Sequence, residues 1–190
     1  MKKYLIFLLL FMHAALLQAQ NKYPGVIWAK GILQWQDYQE TESIPGGHAL
    51  ARTYMKLQSD IPDSVVVTAR GNEVRIEIYA LMIPAFSYVK KGYTNKGVLA
   101  HEQMHFDIEE LFARQLRKAI AEDTFTLKTY KKEIRKIEKK IWHDLQKMQD
   151  DYDATHRSSD KGHNWWVRTI NESLDKLEAY KNQRMVILVL

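Results

Sequence analysis

Residues 99–110 read LAHEQMHFDIEE, and the two histidines at its centre, His101 and His105, stand four positions apart. Four residues make about one helical turn, so both imidazoles lie on one face and can point at one ion. Neutral imidazole is a good zinc ligand, at about 2.0–2.1 Å. Glu102 is rotated from His101 by about 100° around the helix axis. Its carboxylate then lies beside the ion, where it can take a proton from a zinc-activated water. This is the mechanical content of the HExxH pattern. The stretch predicts a helix from Val98 to the region of Ala121, with His101 and His105 as metal ligands, Glu102 as general base and Zn2+ as cofactor.

A catalytic zinc ion takes three protein ligands and keeps one open position. Glu109 continues the same face, but it lies eight residues beyond His101, about 12 Å along the axis, so one ion cannot readily hold both. The extended metzincin pattern requires glycine at position 108 and histidine at position 111, where Ile108 and Leu111 stand. The third ligand must come from elsewhere, among His48, His143, His156, His163 and acids such as Asp151 and Asp153. His143 lies within a second helix, off its apolar stripe, and reads as a solvated residue. His156 falls where that helix ends. An antiparallel return brings its end to the start of the first helix, which makes His156 the expected third ligand, with His163 and Asp153 as alternatives. Tyr152 is a candidate for stabilising an oxyanion, with nothing in the sequence to select it.

Working outward, SVVVTA (64–69) and EVRIEIYAL (73–81) flank Gly71-Asn72. Val74, Ile76 and Ile78 alternate with Glu73, Arg75 and Glu77, the signature of a β-hairpin. Pro84 ends the second strand. Residues 87–97 read as a loop, and residues 21–60 as mixed, with IPGGH (44–48) breaking any regular element. The second helix is expected from about Asp123 to about Asp151, with Asp123 or Thr124 as N-cap and an apolar stripe of Leu127, Tyr130, Ile134, Ile137, Ile141, Leu145, Met148 and Tyr152. A third helix is expected over 165–180. The tail MVILVL (185–190) reads as a buried strand or docking segment. Together these elements predict an α+β, zincin-like fold: a small antiparallel sheet packed on the HExxH helix and a long second helix.

Residues 1–20 stand apart from that domain. Lys2 and Lys3 precede the apolar run YLIFLLLFMHAALL (4–17) and small Ala19, the layout of a signal peptide cut at Ala19 or Gln20. The run spans about 14 residues, short of the roughly 20 that a spanning helix needs. The expected arrangement is a signal peptide over 1–20 and a single domain over 21–190, exported to the periplasm or secreted, with no stable membrane insertion. The chain has no cysteine, which excludes a disulfide framework and a lipoprotein anchor. Its composition, 46% hydrophobic and 27% charged, is that of a chain able to build a core. Without Lys2 and Lys3 the 28 basic residues fall to 26 against 23 acidic ones, and the lysines of KKEIRKIEKK (131–140) alternate with glutamates. That is a solvated helix face, and no nucleic-acid partner is expected.

GVLAHEQMHFDIEELFAR (97–114) resembles the signature of a bacterial family of predicted secreted zinc-dependent proteases, domain of unknown function 922. The matching residues are His101, Glu102, Gln103, His105, Phe106, Asp107, Ile108, Glu110, Ala113 and Arg114. The family's Trp-x-Asp-aromatic motif is matched by Trp35, Asp37 and Tyr38, and DYDATHRSSDKGHNWW (151–166) is similar to its closing motif, with His156 and Trp166 in register. Met104 and Arg157 depart from the pattern, each replacing a small residue. The resemblance implies an exported zincin-like protein, and the HExxH pattern makes a zinc-dependent metallopeptidase acting on a peptide or protein substrate the leading expectation. The alternative expectation is a non-catalytic zinc-containing or partner-binding envelope module on the same scaffold.

Overall fold

The spine of the computed structural model is β6 (Gly71–Met82), to which every other strand of the main sheet pairs. The structure describes residues 25–45, 47, 49–157 and 162–190, so the expected signal segment and His48 lie outside the described residues. Antiparallel to β6 run β1 (Val26–Ile27), β4 (Met55–Asp60), β5 (Val66–Thr68) and β8 (Arg184–Val189). The expected hairpin is β5–β6, with Val66 opposite Glu73 and Thr68 opposite Gly71. Its turn lies at Ala69-Arg70, two residues earlier than the Gly-Asn pair suggests. Gly71 instead opens β6 at φ 119°, a left-handed value that favours glycine. The C-terminal tail is β8, with Ile187 and Val189 buried.

A second sheet joins β2 (Gln39–Thr41), β7 (Tyr88–Lys90) and β3 (Ala51–Arg52), with β2 parallel and β3 antiparallel to β7. These strands of two or three residues are too short to show a period, so β7 reads as loop in the sequence. Strand β4, MKLQSD, carries half-buried polar residues and hides its alternation in the same way.

Helix α1 (Lys96–Ala121) starts where Asn95 caps it, its side chain accepting from the backbone N–H groups of Gly97 and Val98. One side of α1 packs on the sheet, with Ala113, Leu116 and Ile120 against Val74, Ile76 and Ile78. Its other side packs Met104, Ile108, Leu111 and Phe112 against Leu145, Tyr152, Trp166 and Ile170 of α2 (Tyr130–Thr155) and α3 (His163–Lys176). A helix covered on both sides must pair its polar residues internally. Glu110 does this with Arg117 at 2.6 Å and Arg114 at 3.1 Å. Arg117 also donates to the carbonyls of Ile78 and Tyr180, and Arg114 to that of Leu174. The network ties α1 to β6 and to the end of α3, so α1 is a rigid base for the side chains it presents.

Helix α2 differs from expectation at both ends. Residues 123–129 do not start it. Phe125 instead bridges Val189, and Leu127 N–H donates to the carbonyl of Leu190, so this segment extends the sheet edge. The helix begins at Tyr130 and continues through Thr155, one turn past the expected end. That extra turn carries Tyr152 and Asp153 in helical register with Gln149. Helix α3 ends at Lys176, four residues short of expectation, and a 3-10 turn follows at Glu178–Tyr180. The fold is α+β, a small antiparallel sheet with three helices. Among the described residues no helix is long and apolar enough to cross a membrane.

Candidate metal centre

His101 and His105 face α2 from the first half of α1, and Asp153 faces them from the last turn of α2. The His105 Nε2 lies 3.2 Å from His101 Nε2 and 3.0 Å from Asp153 Oδ1, and His101 Nε2 lies 3.2 Å from the same Oδ1. Among the described residues this is the group of three or more His, Asp or Glu donors close enough to share an ion. Three donors at about 2.0–2.1 Å from a tetrahedral ion stand about 3.3 Å apart. The triangle is within 0.3 Å of that size, and two imidazoles with one carboxylate form a donor set that zinc accepts. The residues fit the ion that the sequence implies.

The groups behind the triangle orient it. Gln149 Oε1 accepts from His105 Nδ1 at 2.6 Å, and Gln149 Nε2 donates to the His105 carbonyl at 3.0 Å. Because the amide oxygen can only accept, Nδ1 carries a proton, so whenever the ring is neutral it is Nε2 that presents a lone pair to the triangle. Gln149 and Asp153 are four apart on α2, so one helix face supplies both the carboxylate and the group that orients the histidine. Hydrogen bonds from His101 and His105 hold the Asp153 carboxyl far below the ordinary carboxylate range. Burial works to lower the pKa of His105, but its hydrogen bonds to Asp153 and Gln149 and the nearby carboxylates outweigh it, and the net direction is up. The site therefore favours positive charge between these three groups.

His156, expected as third ligand, is a neighbour of the triangle. Its ring centroid is 4.5 Å from that of His101, and its Nδ1 lies 3.0 Å from the Tyr152 carbonyl. Its Nε2 accepts from Arg157 Nε at 3.1 Å. Tyr152 is fully buried and stacks on His101 at 5.0 Å, with a hydroxyl that has no hydrogen-bond partner among the described residues. His163 opens α3 and lines the cleft, while His143 and Asp151 are exposed on α2. Glu109 is outside the triangle, as the axial distance requires, and contacts Gln149 at 3.4 Å.

Glu102 is buried beside the triangle, and its Oε2 accepts from the Thr53 hydroxyl, which in turn lies 2.7 Å from the hydroxyl of Tyr38. A cleft passes over these groups between the 49–55 segment and the two helices. One half, ≈ 690 Å3, is walled by Leu50, Ala51, Val98 and Ala100. The other, ≈ 440 Å3, is walled by Arg52, Tyr54, Gln146 and Gln149, and His101, Glu102 and Asp153 line both.

Residues 93–162 match the family model described as Bacterial protein of unknown function (DUF922). The match covers 70 of the chain's 190 residues. It takes in α1 and α2, and with them His101, Glu102, His105, Asp153 and His156, and it stops short of the strands and of Tyr38 and Thr53. Neither the curated proteins nor the solved structures contain a match.

Of the site residues, Thr53 and Gln149 carried no sequence signal. Thr53 lies in a segment without a period, and Gln149 reads as one more polar residue on a charged helix.

Burial pushes the Glu109 carboxyl up to about 7, against lowering contacts from Gln149, the Leu57 backbone and His105. An unfolded glutamate releases its proton near 4.5, so between the two values only the folded chain holds it. The stabilisation this gives is complete below pH 4.5 and is lost as pH rises through 7, a change on the order of 3 kcal/mol. Glu109→Gln, uncharged throughout, removes the loss. In urea unfolding of chelator-treated protein, the variant is expected to match wild type at pH 4 and to exceed it by about 2–3 kcal/mol at pH 8.

Proposed function

We propose that this protein is an exported zinc-dependent metallopeptidase that hydrolyses peptide bonds, with His101, His105 and Asp153 as zinc ligands and Glu102 as general base. The observation that carries the reading is the triangle of two histidine nitrogens and one carboxylate oxygen with a separate buried carboxylate beside it. Bound there, zinc supplies Lewis-acid chemistry, polarising a carbonyl and making water more acidic. Glu102 takes a proton from the attacking water as its oxygen bonds to the carbonyl carbon. It then passes that proton to the amine nitrogen as the C–N bond breaks, so water is divided between the two products. His105 is kept in its donor tautomer by Gln149 throughout.

The cleft supports a peptide as substrate. Strand β3 is the outer strand of its sheet, and Ala51 and Arg52 line the cleft beside Glu102. An extended peptide can add to such an edge through its main chain while its side chains fall into the two halves of the cleft. The three-member donor set among the described residues leaves a tetrahedral ion one open position, which favours the enzyme over a closed structural site.

Purified protein lacking residues 1–20 is expected to cleave fluorescein-labelled casein after loading with one equivalent of zinc. A chelator such as 1,10-phenanthroline abolishes the cleavage, and added zinc restores it. Hydrolysis that survives complete removal of metal contradicts the assignment.

A further inference from the structure

The Trp35-x-Asp37-Tyr38 motif lies outside the segment that holds the metal donors, yet it reaches the base. Gln34 and Asp37 close a short 3-10 turn at Trp35–Asp37, each side chain meeting the other's backbone N–H. Trp35 packs edge-on against Tyr38 at 5.2 Å. The turn thereby drives Tyr38 inward, and only 8% of it stays exposed. Its hydroxyl meets Thr53 Oγ at 2.7 Å, and Thr53 Oγ meets Glu102 Oε2.

We propose that Tyr38 and Thr53 form a two-hydroxyl relay that positions Glu102 and makes its two carboxylate oxygens unequal. An ionised carboxylate only accepts, so the Thr53 O–H must donate to Oε2, and the Tyr38 O–H must then donate to Thr53 Oγ. Every hydrogen bond in the chain points toward Glu102. With Oε2 held by a donor, Oε1 is the oxygen left to face the cleft and carry the transferred proton. Tyr38 and Thr53 are positioning residues, acting through Glu102 without touching substrate. Position 53 requires a hydroxyl and not merely a β-branched shape, and position 38 requires the phenol oxygen and not merely a ring.

The kinetic part of the test rests on the peptidase reading, and the crystallographic part does not. Zinc-loaded Thr53→Val is expected to show the Glu102 carboxylate rotated or split between conformers, whereas Thr53→Ser keeps it as in wild type. In casein hydrolysis, Thr53→Val lowers kcat by about 10–100-fold, with KM and bound zinc within about twofold of wild type, and Thr53→Ser restores most of the rate. Tyr38→Phe, which removes one oxygen from an intact ring, lowers kcat in the same direction by a smaller factor and serves as the test if Thr53→Val does not fold. An unmoved Glu102 in both Thr53→Val and Tyr38→Phe overturns the proposal, as does a Thr53→Ser variant as impaired as Thr53→Val. If wild type cleaves no casein, the peptidase reading falls while the position of Glu102 in the variants still decides the relay.

Discussion

Glu102→Gln is expected to lower casein hydrolysis by about 10²–10⁴-fold while bound zinc stays at the wild-type level. The two side chains have nearly the same shape, and the amide oxygen can still accept from Thr53. Only the capacity to take up a proton is removed. Because Glu102 lies beside the donor triangle and not in it, the loss falls on kcat with little effect on metal affinity. Loss of zinc in Glu102→Gln contradicts the separation of roles. Full activity in the zinc-loaded variant contradicts general-base catalysis.

The second large effect distinguishes the donors from their neighbours. His105→Ala and Asp153→Ala each remove one of three donors, and zinc affinity is expected to fall by about 10²–10³-fold in each, measured by competition with a chromogenic chelator. Gln149→Ala, which frees the His105 ring, falls by about 10–100-fold. His156→Ala changes affinity by about tenfold or less, because its ring nitrogens bond to backbone carbonyls and Arg157. A loss in His156→Ala equal to that in Asp153→Ala would return the third position to His156.

The legible parts of this protein are those with long periods. The alternation of Val74, Ile76 and Ile78 marks the central strand, and the four-residue repeat of His101 and His105 puts both imidazoles on one face of α1. The antiparallel return of α2 was also legible, and it brings the end of that helix to His101. The sequence reads the end of α2 in two places, at about Asp151 and at His156, and the helix runs through Thr155 with His156 as its C-cap. One further turn, through Thr155, decides that Asp153 stands in register with Gln149 and faces both histidines. Within 151–155 the stripe residue Tyr152 alone marks that turn, because Asp and Thr are weak helix formers and the burial of Tyr152 against Leu145 and Trp166 overrides their preference. The start of α2 was misplaced for a related reason. Leu127 has helical spacing to Tyr130, but Phe125 and Leu127 are drawn to Val189 and Leu190, a partner more than 60 residues away that no local pattern reveals. The relay of Tyr38 and Thr53 combines a motif that could be seen with a residue that could not.

Anomalous diffraction at the zinc edge from zinc-loaded crystals tests the metal centre most directly. The expected result is a single peak within about 2.0–2.2 Å of His101 Nε2, His105 Nε2 and a carboxylate oxygen of Asp153, with Glu102 outside bonding distance. A peak bound by His156 in place of Asp153 contradicts the donor set, and the absence of a peak at this site contradicts the metal centre itself.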